Sequence, residues 1–393
     1  MIVMSVLIAT DIHVHIQDNR YFLATQIYSI IKRYSNYFGN IILYCRADYS
    51  TPKEKLIDAT DIITDVIIFE SLLDTVKGNS IILENTIKES DLVIGRFHAF
   101  SACQCANIAK KNKVPFLAEV MGDAWEGYWN HGGIGKIVAP YIYWRTKKAI
   151  YDADYAIYVT KSYLQNKYPC TGITTYASNV IIKDVSYEVL ESKIFTNNKK
   201  NEIQLMTAAN VDVKAKGHEY VIKALPLLTH KHINVKYYIA GGGNQDYLLS
   251  IAKTHHVEDR VIFLGRLSPE KVQEWMDKVD IYIQPSLQEG LPRSVIEAMS
   301  RGCLVLGART AGIPELLDPR FVVKRKSEKD IANKIEMCLN LSSSEKNAIC
   351  SRNFAEAKNY QLEKLDKRRN EFFNQIKKEN KKILKGGSST IVS

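Results

Sequence analysis

Residues 285–302 read Pro285-Ser-Leu-Gln-Glu289-Gly290-Leu291-Pro292-Arg293-Ser-Val-Ile-Glu297-Ala-Met-Ser-Arg-Gly302. The preceding Asp280-Ile-Tyr-Ile-Gln284 alternates as a strand does, Pro292 suits the first helical position, and Gly302 reads as the stop after the last turn. The stretch is therefore the loop and helix opening of a strand–loop–helix unit. The backbone N–H groups of Gly290, Leu291 and Arg293 at such a helix start favour a phosphate, and Gly290 lets the anion come close. Glu297 interrupts the apolar run Val295, Ile296, Ala298, Met299, where a carboxylate is costly unless hydrogen-bonded. A vicinal diol such as a ribose offers two donors at the spacing of two carboxylate oxygens. Phosphate and diol together make a nucleotide. The plainer alternative is an ordinary strand–helix unit in which Glu297 pairs with Arg293 one turn earlier.

Outward from this stretch, apolar strands alternate with helical stretches along the whole chain, the pattern of parallel sheets with helices on both faces. Strands are expected at 3–9, 41–44, 66–69, 92–94, 116–120 and 156–159, and again at 204–207, 236–240, 261–264, 281–284, 304–306 and 321–323. Residues 183–202 are polar, rich in Lys, Asn and Ser, and read as a linker. A chain of 393 residues is too long for one compact core, and 46% hydrophobic residues fill two. The first domain is expected at 1–185 and the second at 203–355, with a terminal helix at 356–385 and a frayed tail at 386–393. Two doubly wound domains in tandem place their ligand crevices at the carboxyl ends of their strands, so the expected active site is the cleft between them.

A formal charge of +10 points to an anionic partner, but the basic residues are spread without interleaved aromatics, so nucleic acid is not supported. Lys110-Lys111-Asn-Lys113, Arg145-Thr-Lys147-Lys148 and Lys377-Lys378-Glu-Asn-Lys381-Lys382 are solvated helix faces or points of peripheral contact with an acidic membrane. The seven cysteines are scattered, without CxxC pairs, and read as buried thiols rather than zinc ligands or disulfides. The first residues lack the basic start and cleavage site of a signal peptide, and no apolar segment approaches the roughly 20 residues that span a bilayer. A cytoplasmic location, with access to the inner face of the plasma membrane, is the expectation.

Glu289-x7-Glu297, followed by Ala298-Met-Ser-Arg-Gly-Cys-Leu-Val-Leu306 and Ala311-Gly-Ile-Pro-Glu-Leu316, resembles the donor-site signature of the family 4 retaining glycosyltransferases, which use nucleotide sugars. The resemblance implies a GT-B fold: two doubly wound Rossmann-like domains facing an inter-domain cleft, with a C-terminal helix returning to the first. It places Glu289 on the transferred sugar and Glu297 on the ribose. Lys216 and Gly217, in Ala-Ala-Asn210-Val-Asp-Val-Lys-Ala-Lys216-Gly217-His, match the pair that reaches the diphosphate. A lysine at a helix start opposes the dipole, which fits service to an anion. Asn210 stands where relatives carry an arginine, and Arg293 or Arg266 is placed to supply the missing charge. Gly241–Gly243 forms the expected strand-to-helix turn, and Gly265-Arg266-Leu267 resembles the segment whose backbone lies along the nucleobase. Ser268 and Pro269 need no more than their role as a helix start.

The first domain is expected to hold the acceptor. Asp11, His13 and His15 replace the family's glycine-rich turn after the first strand and could bind an acceptor hydroxyl. In Glu119-Val-Met121-Gly-Asp123-Ala-Trp125-Glu126-Gly-Tyr-Trp129-Asn-His131, acids beside flat rings suit a sugar, rings on its faces and carboxylates on its hydroxyls. A packed aromatic cluster is the structural alternative. Met121 stands where relatives place a histidine near the donor hexose, leaving Asp123 or Glu119 to take over part of that role. Arg96-Phe-His98 ends another strand and adds His98 to the acceptor candidates, and Asn179-Val180 resembles the family's Asn-Gly turn. The expected reaction moves a hexose-type sugar from a nucleotide-diphosphate sugar to a saccharide or lipid-linked acceptor, with retention and with no metal or cofactor. Bacterial surface polysaccharide, capsule or lipopolysaccharide, is the expected setting. A sugar-nucleotide epimerase and a noncatalytic nucleotide-sugar-binding partner are the competing classes.

Overall fold

The computed structural model describes residues 3–49, 56–71, 74–77, 81–130, 133–182, 187–192 and 202–387. The chain divides into two compact units, one of Met1–Val159, Leu164–Tyr176 and Arg368–Ser393, the other of Thr160–Tyr163 and Ala177–Lys367.

The first unit carries strands β1 (Met4–Gln17), β2 (Arg20–Ala24), β3 (Gly39–Asp48), β4 (Leu56–Asp58), β5 (Asp65–Ile68), β6 (Leu92–Phe97), β7 (Phe116–Val120), β8 (Tyr155–Tyr158) and β9 (Ile173–Tyr176). Its parallel sheet runs β5-β3-β1-β6-β7-β8-β9, while β2 and β4 form an antiparallel arm on the far end of β1. Every residue of β6, β7 and β8 is buried, as required when a parallel sheet is covered on both faces. That is why these strands, apart from Arg96 and Glu119, read as apolar runs. From Arg368 onward the last helix (Leu362–Gly387) belongs to this unit: Phe373 packs its ring on Phe38 at 5.1 Å and Tyr34 at 5.7 Å, and the Tyr37 hydroxyl donates to the Asn370 carbonyl.

The second unit holds β10 (Ile203–Ala208), β11 (Val235–Ala240), β12 (Val261–Gly265), β13 (Ile281–Gln284), β14 (Leu304–Ala308) and β15 (Val322–Val323), all parallel, in the order β12-β11-β10-β13-β14-β15. The order reverses between β10 and β13. The crevice of a doubly wound sheet opens outside the carboxyl ends of those two strands. The helix Arg293–Ser300 follows β13, burying Val295, Ile296, Ala298 and Met299 as their spacing requires.

Three expectations are revised. Residues 10–15 are no loop: β1 continues to Gln17, shifting register against β3 between Ala9 and His13, because β3 and the arm supply pairing partners. The first unit ends at Tyr176 rather than near 185, since the Leu362 amide donates to the Ile182 carbonyl at 3.0 Å and Ile182 bridges Gln361, tying that stretch to the second unit. Residues 356 and 357 finish the helix Ser343–Ala357, and the last helix begins at Leu362. Of the expected linker, 187–192 lie in a helix whose Tyr187 ring meets Phe354 at 5.3 Å, while 183–186 and 193–201 lie outside the described residues, as do His131 and 388–393 of the expected tail. Among the described residues no helix is long and apolar enough to cross a membrane.

Candidate functional site

At the switch point the loops after β10 and β13 are fastened together. The Leu287 amide donates to the Ala215 carbonyl at 2.7 Å, which brings Lys216 to the start of the 285–293 loop. Gly217 has φ +73° and a Cβ there would collide with the Pro285 carbonyl, so glycine is required on both counts. This approach lets Lys216 Nζ reach Glu289 Oε1 at 2.8 Å, with the lysine side chain 29% and the glutamate 11% exposed. Gln284, at the end of β13, orders the acid: its Nε2 donates to Ser286 Oγ at 2.8 Å and Glu289 Oε1 at 3.3 Å, while its Oε1 accepts from the Tyr282 hydroxyl at 2.8 Å and Ser294 Oγ at 3.1 Å. The loop is pinned from the other side by Thr310, whose hydroxyl donates to the Ser286 carbonyl, and by the Gly312 amide on the Gly290 carbonyl.

Glu297 stands one turn into the helix that begins at Arg293, half-buried. Burial pushes its carboxyl above the ordinary value and the Arg293 charge pulls it partly back. Burial also raises the Tyr282 hydroxyl, and the charges of Glu297 and Glu289 add to that rise. Both acids thus act on one buried hydroxyl between β13 and the helix. The Gly241–Gly243 turn packs on the loop after β10, where the Val211 amide donates to the Gly242 carbonyl at 3.0 Å and a Cβ at Gly243 would enter the Asp212 carboxylate. Arg266 passes over Gly242, and the Gly241 amide donates to Gly265. Asn210, Gly217, Gly243, Arg266, Leu267, Gly290, Leu291 and Pro292 therefore all sit on loops that leave the carboxyl ends of the parallel strands, and Arg293 opens the helix that follows the last of these loops.

His218 follows Gly217 and was not anticipated. Thr207 Oγ1 donates to the Ile283 carbonyl at 2.5 Å and the Tyr237 hydroxyl donates to Thr207, while His218 sets Nδ1 2.8 Å from Tyr237 Oη and Nε2 3.3 Å from the Asn210 carbonyl oxygen. Burial lowers its pKa from 6.5 to about 4, keeping the imidazole neutral. A depressed folded-state histidine takes up its proton more readily when unfolded, so its contribution is complete above pH 6.5 and is lost as pH falls from 6.5 to 4. His218→Gln is expected to remove on the order of 3 kcal/mol of acid sensitivity in that window, read from unfolding midpoints at stepped pH. An unchanged pH slope would show that the ring does not govern it.

In the first unit the candidates divide. Asp11 accepts from the Phe100 amide at 2.9 Å and from Ser101 Oγ at 2.6 Å, capping the helix Phe100–Asn112 from a distant strand. His13 is exposed, and His15 meets Phe22 edge-on at 6.4 Å. Glu119 is buried against Arg96 Nε at 2.7 Å, and Arg96 Nη2 also reaches Met121 Sδ at 2.9 Å. Asp123 is buried and caps the helix Ala124–Trp129 through the Trp125 amide, accepts from the Tyr168 hydroxyl at 2.7 Å and pairs with Lys167. Trp125 stacks on Trp129 at 5.3 Å and meets Tyr143 edge-on, while Glu126 is buried. His98 lies against Gly122 and Gly127, where a Cβ would come within 3.3 Å and 2.9 Å of its ring. Asp11, Glu119 and Asp123 thus carry structural duties, and the ring cluster is packed. Six cysteines are buried and Cys170 is half-buried, all as free thiols. Among the described residues no three His, Cys, Asp or Glu side chains gather as a metal site.

Residues 190–356 match the family described as "Glycosyl transferases group 1". Protein CapJ of Staphylococcus aureus is 35% identical over 244 residues, 61% of each chain. The Schizosaccharomyces pombe phosphatidylinositol N-acetylglucosaminyltransferase gpi3 subunit is 31% identical over 30% of this chain and 26% of its own length. The chain thus spans less than two thirds of these relatives. Among solved structures, sucrose-phosphate synthase from Thermosynechococcus elongatus superposes with a TM-score of 0.65 at 12% identity, covering 95% of this chain and 99% of its own. Anabaena Alr3699/HepE in complex with UDP superposes with a TM-score of 0.61 at 18% identity, covering 98% and 100%. At such identities these likenesses show the fold, that of the GT-B proteins.

Proposed function

We propose that this chain, whose residues 190–356 match the group 1 glycosyltransferases, is such an enzyme and moves a hexose-type sugar from a nucleotide-diphosphate sugar to a saccharide or lipid-linked acceptor with retention of configuration. The observation that supports this reading is the Lys216–Glu289 pair at the switch point, 2.8 Å apart and set at the mouth of a helix start. As the anomeric carbon parts from the diphosphate oxygen, negative charge grows on that oxygen. Lys216 and the amides of Gly290, Leu291 and Arg293 are the groups that take it up, and preorganised donors of this kind are the largest catalytic contribution in most such reactions. The acceptor hydroxyl then bonds to the anomeric carbon from the same face and passes its proton to the departing phosphate. Glu289 serves the transferred sugar and Glu297 the ribose, while Gly243, Arg266 and Leu267 border the nucleotide and Asn210 stands as a neutral donor beside it. Asp123 and Glu119 act as positioning groups beneath the acceptor, with Trp125, Glu126 and His98 nearest to it. No metal is assigned a step.

The phosphatidylinositol in the gpi3 name and the likeness to CapJ support a lipid-linked acceptor in a bacterial surface-polysaccharide setting, and the reading places the enzyme in the cytoplasm. The test is nucleoside diphosphate release from a panel of nucleotide sugars, UDP-glucose and UDP-N-acetylglucosamine first, with and without lipid-linked acceptors. Glu297→Ala is expected to weaken nucleotide affinity about tenfold, the loss of one charge-assisted pair of hydrogen bonds, before it alters turnover at saturating donor. Free sugar released equally without acceptor would favour an epimerase instead. A panel in which no nucleotide sugar raises the thermal midpoint would remove the reading altogether.

A further inference from the structure

The helix Ile134–Tyr151 is apolar on two sides. Ala139, Ile142, Thr146, Ala149 and Ile150 face the core of the first unit. Ile134, Ile137, Tyr141, Trp144 and Tyr151 face solvent at 78%, 79%, 46%, 60% and 51% exposure. At about 100° per residue these five fall within an arc of roughly 100°, a stripe along about 26 Å of helix that Lys148 interrupts between Trp144 and Tyr151. Lone exposed apolar residues are ordinary, but a stripe of five with Trp129 beside it, 42% exposed, marks a surface made to be covered.

The charges say by what. The helix carries Lys136, Arg145, Lys147 and Lys148 and no acid. Each cation lies over a ring: Lys136 on Trp129 at 5.6 Å, Arg145 on Tyr141 at 5.6 Å, Lys147 on Tyr143 at 5.9 Å and Lys148 on Trp144 at 5.5 Å. A second copy docking by two-fold symmetry would set these cations against themselves. An anionic bilayer surface complements all of them. Isoleucines enter the acyl boundary, tyrosine and tryptophan sit at headgroup depth, and lysine stems extend along the apolar stripe to the phosphates.

We infer that the helix Ile134–Tyr151 is an interfacial helix that seats the first unit on an anionic lipid surface. This deepens the reading of a lipid-linked acceptor and rests on it for its purpose, since the surface lies on the unit that carries the acceptor candidates. The test is flotation of the full chain with phosphatidylcholine vesicles, with and without phosphatidylglycerol. Binding is expected only with phosphatidylglycerol, and release at high salt. Ile137→Ser with Trp144→Ser is expected to cut partitioning at least about tenfold, and Lys136→Ser with Lys147→Ser and Lys148→Ser about a hundredfold. Unchanged circular dichroism is required of both variants, and their exposed positions permit it. Equal flotation of variants and wild type, equal binding to both vesicle types, or a lipid-free dimer that Trp144→Ser dissolves would each overturn the inference. Flotation reports the surface and turnover on a water-soluble acceptor reports the transferase reading, so the two fail separately.

Discussion

Glu289→Gln is expected to lower sugar transfer by about 10²–10³-fold while nucleotide affinity stays within a few-fold of the wild type. The carboxylate is 11% exposed and is held by Lys216 Nζ at 2.8 Å and Gln284 Nε2 at 3.3 Å, so glutamine fits the same space. What it lacks is the charge that steadies Lys216 and that, in the proposed reaction, would face the sugar. If Glu289 acts chiefly by orienting the cation, Lys216→Ala and Glu289→Gln will be non-additive in kcat, because each removes the same interaction. If the acid acts on the sugar itself, the two losses will multiply. Single-turnover measurement with the best donor separates chemistry from release. Equal turnover by wild type and Glu289→Gln would count decisively against the proposed site.

The local structure of the loops after β10 and β13 was largely legible because its signals are local. A strand, a proline, a glycine and two acids at fixed spacing define the loop after β13, and Lys216-Gly217 needs only a helix start. Two features there required coordinates. Gln284 ends an otherwise apolar strand at the switch point, a polar signal that strand-end position could have revealed. His218 reads as an ordinary helix residue until Thr207 and Tyr237 are brought beside it. The buried parallel strands were legible for a different reason: coverage on both faces leaves no polar alternation. The arm strands β2 and β4 are short and mostly half-exposed, so they carry neither a continuous apolar run nor a clean period of two. On the first unit the partners of the acids were not legible because register is not written in composition. Asp11 meets its helix from 89 residues away, and nothing around either residue announces the partnership.

Register also explains the second large effect, at Glu119. Arg96 on β6 and Glu119 on β7 are direct neighbours across the parallel pair, and their side chains are 3% and 6% exposed. Two charges so deeply placed owe their survival to each other: alone, either would bear a desolvation penalty of several kcal/mol. Glu119→Leu is therefore expected to destabilise the first unit by about 3–5 kcal/mol, a fall in its thermal midpoint of roughly 10 °C, because Arg96 remains as an uncompensated buried cation. The decisive comparison is Arg96→Leu with Glu119→Leu. Removing both charges from adjacent strands leaves an apolar pair in a wholly buried sheet, and should recover most of the lost stability. A direct acceptor role for Glu119 predicts the opposite pattern: a higher acceptor KM in every variant lacking the acid, including the restabilised double variant, with little change in the melting midpoint. Calorimetry and acceptor titration on the same three proteins decide between an acid that binds sugar and one that holds β6 and β7 in register beneath it.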